Sequence, residues 1–499
     1  MQIDPKNYPI AVLGTGTMGE GIAQTAATAG HPVMLYDVSQ EQTRAALENI
    51  AKRLDRSTKK RKITAEKKDQ IQANLSPKQS LKELAPAKLV IEAIIEDLEI
   101  KQNVFCQLES LLGADAILAT NTSSIDLNKM GSTLKRPERL VGMHFFNPAP
   151  IMALVEIVRS LETDSEVSDT VFTLAEKWGK SPVHVRSSPG FIVNRAARPF
   201  YSEALAILKE GGADAATCDA IMRDCGGFRM GPFELMDLIG LDVNYAVTCQ
   251  IWESYQRHPR FAPSVLQKEL VDSGRLGRKS GKGFFEYGEA VEMQEPKNAP
   301  ESPAPASLIL EGPEHLPQSL QNLLESGSVP TKRTSGNGII RLPAGAFVVL
   351  SNGINSTERS AEIGQPVISL DLCLDFERSS RFVLAPASAC PDNVLREAVG
   401  LFQSLGKQVS VIKDIAGMVL TRTVAMLANE ASLLVQDEVA DVAGVNLAMR
   451  KGVNYPLGPL EWAEKLGLAA VAEILDNLRK VYGVRYQASA WLRQKAKPN

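Results

Sequence analysis

Sliding the chain along itself by 227 residues, without a gap, lays Gly190-Phe-Ile-Val-Asn-Arg195 on Gly417-Met-Val-Leu-Thr-Arg422, and Glu203-Ala204 on Glu430-Ala431. The same shift brings Gly231-Pro-Phe-Glu234 onto Gly458-Pro-Leu-Glu461 and Gly240 onto Gly467. Chance is a poor explanation for one register kept over this span, and a period of 227 residues is far too long for a solenoid. The chain therefore reads as a duplicated pair of domains and not as an array. Its 499 residues also exceed what one hydrophobic core organises, so several cores are expected.

In the first copy, residues 8–13 form a short β-rich run, followed by Gly14-x-Gly16-x-x-Gly19 and an Ala-rich helical pattern to residue 29. Residues 33–36 make the next strand, ending on Asp37, and further strand patterns cover 89–94, 117–120 and 140–144, separated by helical pattern. Such alternation implies a parallel sheet covered by helices. From about residue 188 long amphipathic helices take over. Residues 288–306 are rich in Pro, Glu and Ala with little to bury, which predicts a flexible linker. Beyond it, strand-like runs at 347–350, 367–370 and 381–384 return without any G-x-G-x-x-G. The expected architecture is an α/β Rossmann-like domain (1–187), an all-α domain (188–287), the linker (288–306), a shortened, degenerate Rossmann-like domain (307–410) and a second all-α domain (411–499).

With 44% hydrophobic and 23% charged residues and a net charge of -3, the chain has no general field to attract nucleic acid or a membrane surface. No apolar run is long enough to span a bilayer, and the N-terminal residues run into the first strand without a basic leader, so the expected location is the cytoplasm. Six scattered cysteines without C-x-x-C spacing give neither a metal knuckle nor a disulfide framework, and no metal site is expected.

The glycine triplet carries a specific division of labour. Gly14 permits the tight turn, Gly16 lets the backbone approach a pyrophosphate, and Gly19 lets the helix pack on the strand, while Thr17 and Met18 open the helix whose N-terminus receives the phosphate. A glycine turn without a ligand is the bland alternative. Here the triplet follows a strand, opens a helix and is followed by Asp37 at the end of a second strand, the place of a ribose-binding acid. A carboxylate there accepts from a 2′-hydroxyl and repels a 2′-phosphate, so NAD is the expected cofactor in preference to NADP.

Only five histidines are available for proton transfer: His31, His144, His184, His258 and His315. Four have structural readings in turns, a strand or loops. His144 ends a strand and enters Phe145-Phe-Asn-Pro148, at the carboxyl edge of the sheet where ligands of such folds bind. Glu156, within Leu-Val-Glu-Ile-Val, is a carboxylate in an apolar strand and needs a partner.

Asn121-Thr-Ser-Ser124, His144-Phe-Phe-Asn-Pro148, Glu156 and Gly190-Phe-Ile-Val-Asn-Arg195 resemble the signature set of the 3-hydroxyacyl-CoA dehydrogenase family, including its 3-hydroxybutyryl-CoA and 3-hydroxyadipyl-CoA enzymes. The resemblance covers essentially the first 287 residues. It implies an NAD-binding Rossmann domain followed by a helical domain that dimerises and closes over the acyl-CoA. It assigns catalytic positions to Ser123, His144, Glu156 and Asn194, and cofactor-contacting positions to Asp37, Glu96, Lys101 and Asn121. It further implies a place in fatty-acid β-oxidation or in aromatic-acid, phenylacetate-type degradation.

The chemistry fits these residue types. Oxidising a secondary alcohol removes a hydroxyl proton as hydride leaves C3, and neutral imidazole is a suitable base near neutral pH. His144 is the expected base, with Glu156 fixing its tautomer and stabilising the imidazolium. Ser123 and Asn194 are expected to hold the C3 oxygen and the thioester carbonyl, against the alternatives of a helix cap for Ser123 and a helix hydrogen bond for Asn194. A non-catalytic NAD-binding protein on the same fold is the competing reading. Residues 52–68 hold nine basic residues; Lys59, Lys60 and Lys62 are either a solvated helix face or contacts to the CoA phosphates. Arg195 and Arg198 either meet a terminal carboxylate of the acyl chain or are surface or interdomain residues.

The shift of 227 sets Asp371 opposite His144, Val383 opposite Glu156 and Thr421 opposite Asn194. The second copy is accordingly expected to bind no NAD. Its helical domain is expected to pack on the first as an internal pseudo-dimer that steadies Asn194, with one active site per chain and further homo-oligomerisation left open.

Overall fold

The computed structural model describes residues 4–289, 291–292 and 294–497; positions 290 and 293 of the expected linker lie outside the described residues. The first sheet contains β1 (Ile10–Leu13), β2 (Val33–Tyr36), β3 (Leu75–Pro77), β4 (Leu89–Glu92), β5 (Ile117–Thr120), β6 (Leu140–Phe145), β7 (Leu154–Arg159) and β8 (Ser181–Arg186), in the order β3-β2-β1-β4-β5-β6-β7-β8. Pairing is parallel except between β6 and β7. β1, β4 and β5 are buried at every residue, as strands covered on both faces must be. Ile10 and Val12 enter one core and Ala11 and Leu13 the other, the alternation that a strand imposes. Helices α1 (Thr17–Thr28), α2 (Gln40–Lys59), α3 (Ala65–Ala73), α4 (Leu98–Leu111), α5 (Leu127–Gly131) and α6 (Ser165–Lys177) connect these strands.

After β8 come α7 (Val193–Ala196), α8 (Arg198–Lys209), α9 (Ala215–Asp224), α10 (Pro232–Ile239), α11 (Leu241–Ser254) and α12 (Val265–Asp272). The second sheet then builds from β9 (Leu308–Glu311), β10 (Thr331–Thr334), β11 (Ile339–Arg341), β12 (Phe347–Leu350), β13 (Val367–Leu370), β14 (Arg381–Pro386) and β15 (Gln408–Val411), ordered β10-β9-β11-β12-β13-β14-β15. Its helices are α13 (Gln318–Ser326), α14 (Ser356–Ile363) and α15 (Asp392–Ser404). β11 runs antiparallel to both its neighbours, and the turn after β9 is Gly312-Pro313, so the phosphate-binding turn of the first copy has no counterpart. The chain closes with α16 (Leu420–Gln436), α17 (Val442–Gly452), α18 (Pro459–Leu466), α19 (Leu468–Tyr482) and α20 (Ala490–Lys495). Among the described residues no helix is long and apolar enough to cross a membrane.

The register of 227 is a structural one. β14 spans β7 displaced by that number at both ends, and α15 and α18 do the same for α6 and α10. Even the left-handed pair before the helical domain recurs, with Gly190 and Phe191 at φ of 79° and 46° and Gly417 and Met418 at 77° and 52°.

By contacts the chain separates into two compact units, Met1–Arg195 with Asp437–Val453, and Ala196–Gln436 with Asn454–Asn499. In the first, α17 of the second copy packs on β7 and β8. In the second, α9 of the first copy packs on β14, and α16 lies on α8. There the buried Arg422 reaches Glu203 at 2.8 Å and Glu210 at 3.0 Å, and the Tyr486 hydroxyl donates to Glu203 at 2.6 Å. The linker has neither helix nor strand among its described residues, yet it is not free as expected: Lys297 N donates to Thr217 Oγ1, Ala299 N to Val409 O and Ser302 N to Gln403 Oε1. The edge of β15 is a row of unpaired backbone groups, and the linker satisfies part of it.

Asp371 is a buried carboxylate that the register alone leaves without a task. Following the antiparallel β13–β14 ladder it stands opposite Val383, as His144 stands opposite Glu156. Its oxygens accept from the N–H groups of Val419, Leu420 and Thr421 at 2.8–3.0 Å and from the Thr421 hydroxyl at 2.7 Å. It holds the entrance of α16. Asp371→Ala strands those buried donors, and the expected loss of stability is about 3 kcal/mol, read as a lower denaturation midpoint with an unchanged m-value. A parental midpoint would show that the donors find other partners.

Candidate active site

The order of the first sheet reverses across the β1–β4 boundary, so the loops leaving the carboxyl ends of β1 and β4 diverge and open a crevice, the place where open α/β sheets bind ligands. The glycine turn lies there. A Cβ on Gly14, at φ 86°, would meet Ala93 O at 2.5 Å, and one on Gly19 would meet Gly14 O at 1.8 Å. Gly16 has open space instead, with no atom within 4 Å of a built Cβ. Two glycines are thus required by packing, and the third keeps an approach clear for something that is not protein. Because the first turn bond of α1 is Glu20 N to Gly16 O, the N–H groups of Thr17, Met18 and Gly19 precede the helical ladder, as an anion site needs. Asp37 ends β2 beside this turn, accepting from Thr15 N at 2.8 Å and Ser39 N at 3.0 Å. These features fit a dinucleotide with a free ribose diol.

The β4 and β5 loops are tied together by a polar cluster of which the sequence reading named only part. Lys101 is 1% exposed; its ammonium pairs with Glu92 at 2.6 Å and Glu96 at 3.1 Å. Glu92, at the end of β4 and fully buried, also accepts from the Thr120 hydroxyl at 2.7 Å and from Ile94 N. Glu96 accepts from the Thr122 hydroxyl, Ser124 Oγ and Ser123 N. Burial works against its charged form, but the Lys101 ammonium and the Thr122 and Ser124 hydroxyls prevail and hold its pKa below the usual carboxylate range. Lys101 is thereby committed to two carboxylates. Glu92, Thr120 and Thr122 escaped the sequence reading, although a glutamate closing the apolar run Leu-Val-Ile was a usable signal.

This cluster fixes the Asn121–Ser124 loop. Asn121 Oδ1 accepts from Phe145 N at 2.8 Å, tying the loop to the strand that carries His144. Asp126 is the N-cap of α5, so Ser123 does not cap that helix, and its hydroxyl has no hydrogen-bond partner among the described residues.

His144 and Glu156 are direct cross-strand partners on β6 and β7. His144 Nδ1 stands 2.6 Å from Glu156 Oε2, with the carboxylate fully buried and the imidazole 6% exposed between Phe146 and Phe191. A carboxylate can only accept, so Nδ1 carries the proton and Nε2 is the lone-pair nitrogen. Nε2 has no partner among the described residues. The second oxygen of Glu156 accepts from Ile192 N and Val193 N, both at 3.0 Å. One carboxylate thus orients the imidazole and fixes the segment that leads to Asn194 on α7. Arg195, expected either at a substrate carboxylate or in a structural role, is 3% exposed and paired with Asp437 at 2.9 Å. Arg198 donates to Thr248 Oγ1 at 3.0 Å.

Of the other four histidines, His31 is buried against Tyr8 O and Trp178, His184 stacks on Phe172, His258 accepts from Arg260 N, and His315 is exposed beside Glu314. Lys59, Lys60 and Lys62, at and after the end of α2, are exposed and have no ion-pair partner among the described residues.

A dinucleotide crevice with an acid at the ribose position, and a histidine–carboxylate pair at the carboxyl edge of the same sheet, define a nicotinamide-dependent alcohol dehydrogenase. Residues 9–188 match the 3-hydroxyacyl-CoA dehydrogenase NAD binding domain, residues 190–287 and 417–499 its C-terminal domain, and residues 348–415 the 3-hydroxybutyryl-CoA dehydrogenase reduced Rossmann-fold domain. The chain is 40% identical over 98% of its length to a 3-hydroxyadipyl-CoA dehydrogenase of Escherichia coli K12, covering 97% of that protein. It is 40% identical over 56% of its length to a probable 3-hydroxybutyryl-CoA dehydrogenase of Bacillus subtilis, covering 97% of that protein. A crystal structure of 3-hydroxybutyryl-CoA dehydrogenase from E. coli K12 matches with a TM-score of 0.90 and 39% identity over 98% of both chains. The chain belongs to the 3-hydroxyacyl-CoA dehydrogenase family. It is an NAD-linked enzyme and not the non-catalytic binding protein that the glycine turn alone allows.

The glycine geometry separates fold from ligand. Gly16→Val is expected to melt at the parental temperature but to bind NADH at least tenfold more weakly, because its side chain occupies only the open approach. Gly19→Ala is expected to lower the melting temperature itself. Thermal melts with fluorescence titration check both, and parental NADH affinity in Gly16→Val would remove Gly16 from the cofactor site.

Proposed function

We propose that this chain interconverts an (S)-3-hydroxyacyl-CoA and its 3-oxoacyl-CoA with His144 as the proton-transfer group; the carrying observation is the buried His144–Glu156 pair with Nε2 left free. NAD, when bound, supplies the acceptor for the hydride that leaves C3. Gly14, Gly16, Thr17, Met18 and Gly19 would hold its pyrophosphate and Asp37 its adenosine ribose, with Glu96 and Asn121 lining the far side and Lys101 acting through Glu96. Nε2 of His144 takes the C3 hydroxyl proton on oxidation and returns it on reduction. Glu156 keeps Nδ1 protonated and balances the imidazolium that forms. The unpartnered Ser123 hydroxyl and the Asn194 amide hold the substrate's C3 oxygen and thioester carbonyl. Lys59, Lys60 and Lys62 attract the CoA phosphates, a contribution that weakens with salt.

The second copy serves as scaffold. In this reading the helical parts of residues 188–287 and 411–499 form an internal pseudo-dimer, residues 307–410 are a reduced Rossmann-like domain without NAD, 288–306 joins the halves, and residues 1–187 carry the single cofactor site. Support comes from the packing of α16 on α8 and from contacts that occur twice in the 227 register. We place the activity in the cytoplasm, in fatty-acid or aromatic-acid degradation. The relatives' names point to short 3-hydroxybutyryl and dicarboxylic 3-hydroxyadipyl chains, and the commitment of Arg195 to Asp437 argues against Arg195 as the receptor of a second carboxylate.

His144→Gln is expected to lower kcat by roughly 10² to 10⁴ with NADH affinity little changed, measured with acetoacetyl-CoA and NADH. Near-parental kcat would move the proton elsewhere. Glu156→Gln is expected to lower kcat and to displace its pH profile; an unaltered rate and profile would leave Glu156 with its structural task alone. Calorimetry is expected to give one NAD per chain, and two would overturn the single-site reading.

A further inference from the structure

The Arg195–Asp437 pair has a counterpart in the other half. Displaced by 227, Arg195 becomes Arg422 and Asp437 is reached from Glu210, and Arg422 pairs with Glu210 through two hydrogen bonds of 3.1 and 3.0 Å. The adjoining backbone repeats the pattern: Arg186 N donates to Val439 O at 2.8 Å, and Lys413 N to Gly212 O at 3.1 Å. Residue i of one copy meets j of the other while the equivalent of i meets the equivalent of j, the reciprocity of a two-fold interface. The two pairs differ in what stands beside them. Thr421 precedes Arg422 and has no role in chemistry, whereas Asn194 precedes Arg195.

Around Asn194 the second copy is a close neighbour. α17 lies so near β7, β8 and α7 that a Cβ on Gly452 would come within 2.6 Å of Leu154 Cδ2 and 3.0 Å of Val193 Cγ2, and one on Gly444 within 2.8 Å of Val183 Cγ1. Arg186 donates from its guanidinium to the carbonyls of Asp437 and Glu438, fixing that turn. The Arg195 side chain is 4% exposed and that of Asp437 is 39% exposed, so Asp437→Asn changes a half-exposed side chain and keeps an amide oxygen that can accept from the buried guanidinium. The segment carrying Asn194 is thus gripped from two sides, by Glu156 of its own copy through Ile192 N and Val193 N, and by Asp437 and Gly452 of the other.

We infer that Asp437 is a positioning residue for catalysis: through Arg195 it sets α7 so that the Asn194 amide meets the substrate oxygen, making the C-terminal copy part of the working site and not only a stabilising partner. This rests on Asn194 holding the substrate. A 1 Å displacement of such a group costs up to about a hundredfold in rate.

The test compares Asp437→Asn, Asp437→Glu, Glu210→Gln and Asn194→Ala in the full chain, by kcat, KM for NADH and melting temperature. Asp437→Asn is expected to lose roughly tenfold to a hundredfold in kcat with KM for NADH unchanged, and Asp437→Glu to recover most of it. Glu210→Gln, at the equivalent position of the other copy, where Glu210 accepts twice from Arg422 and once from the Tyr482 hydroxyl, is expected to lower the melting temperature and leave kcat parental. Parental kcat in Asp437→Asn overturns the inference, as does an equal fall in Glu210→Gln, which would mean general loosening. If Asn194→Ala alone is impaired, the inference falls and the role of Asn194 survives; if Asn194→Ala is parental, both fall.

Discussion

The first copy depends on one fully buried carboxylate. A charged group removed from water must be matched by donors, and Glu156 is matched on both oxygens: one receives the His144 Nδ1 proton, the other the N–H groups of Ile192 and Val193. The antiparallel β6–β7 ladder makes this possible, because directly opposed residues on one face lie within side-chain reach. An all-parallel sheet would have placed a long crossover between the two residues. Since the same group fixes the imidazole and the entrance to the helical domain, the orientation of His144 and the placement of Asn194 are parts of one constraint.

The second copy separates these tasks. It keeps the antiparallel pair, the left-handed glycine and the helix entrance, and still needs a buried carboxylate to satisfy the freed N–H groups, but supplies it from the facing strand, as Asp371. Anchoring therefore requires only a carboxylate somewhere on this pair of strands. In the first copy it stands on the farther strand, which leaves position 144 to an imidazole. Val383 opposite Asp371 marks the copy in which only the anchoring demand persisted.

Much of this was legible in the sequence because it rests on local rules. The glycine spacing, the acid at a strand end and the strand-to-loop switch at His144 each have a short-range cause, and the duplicated helices announce themselves through glycine and proline positions that recur in one register. What escaped depends on contacts between distant positions. A glutamate closing an apolar run signals that Glu92 is buried, but Lys101 sits nine residues away and nothing in the spacing pairs the two. The linker looked free because its composition buries little, and it is held by a backbone bond to β15 and by bonds to the side chains of Thr217 and Gln403 that composition does not encode. Asp371 read as a lost catalytic residue because aligning positions compares identities, whereas the fold preserves a charge at a place that two strands share.

The reciprocal contacts show where each copy constrains the sequence of the other. Each copy meets the other at two paired turns, 437–439 with Arg186 and Arg195 and 210–212 with Lys413 and Arg422, and along packed faces, α16 on α8, α9 on β14 and α17 on β7 and β8. The turn after β9 takes part in none of these, whereas β14, the strand facing Asp371, is held by α9 of the first copy, with Arg381 paired to Asp224 at 2.9 Å. The reversed β11 and the missing glycine turn are therefore tolerated, while α17 must keep Gly444 and Gly452 because larger side chains would push it off β7 and β8. Decay is permitted where a surface serves only its own copy and resisted where it packs on the sheet that carries Glu156.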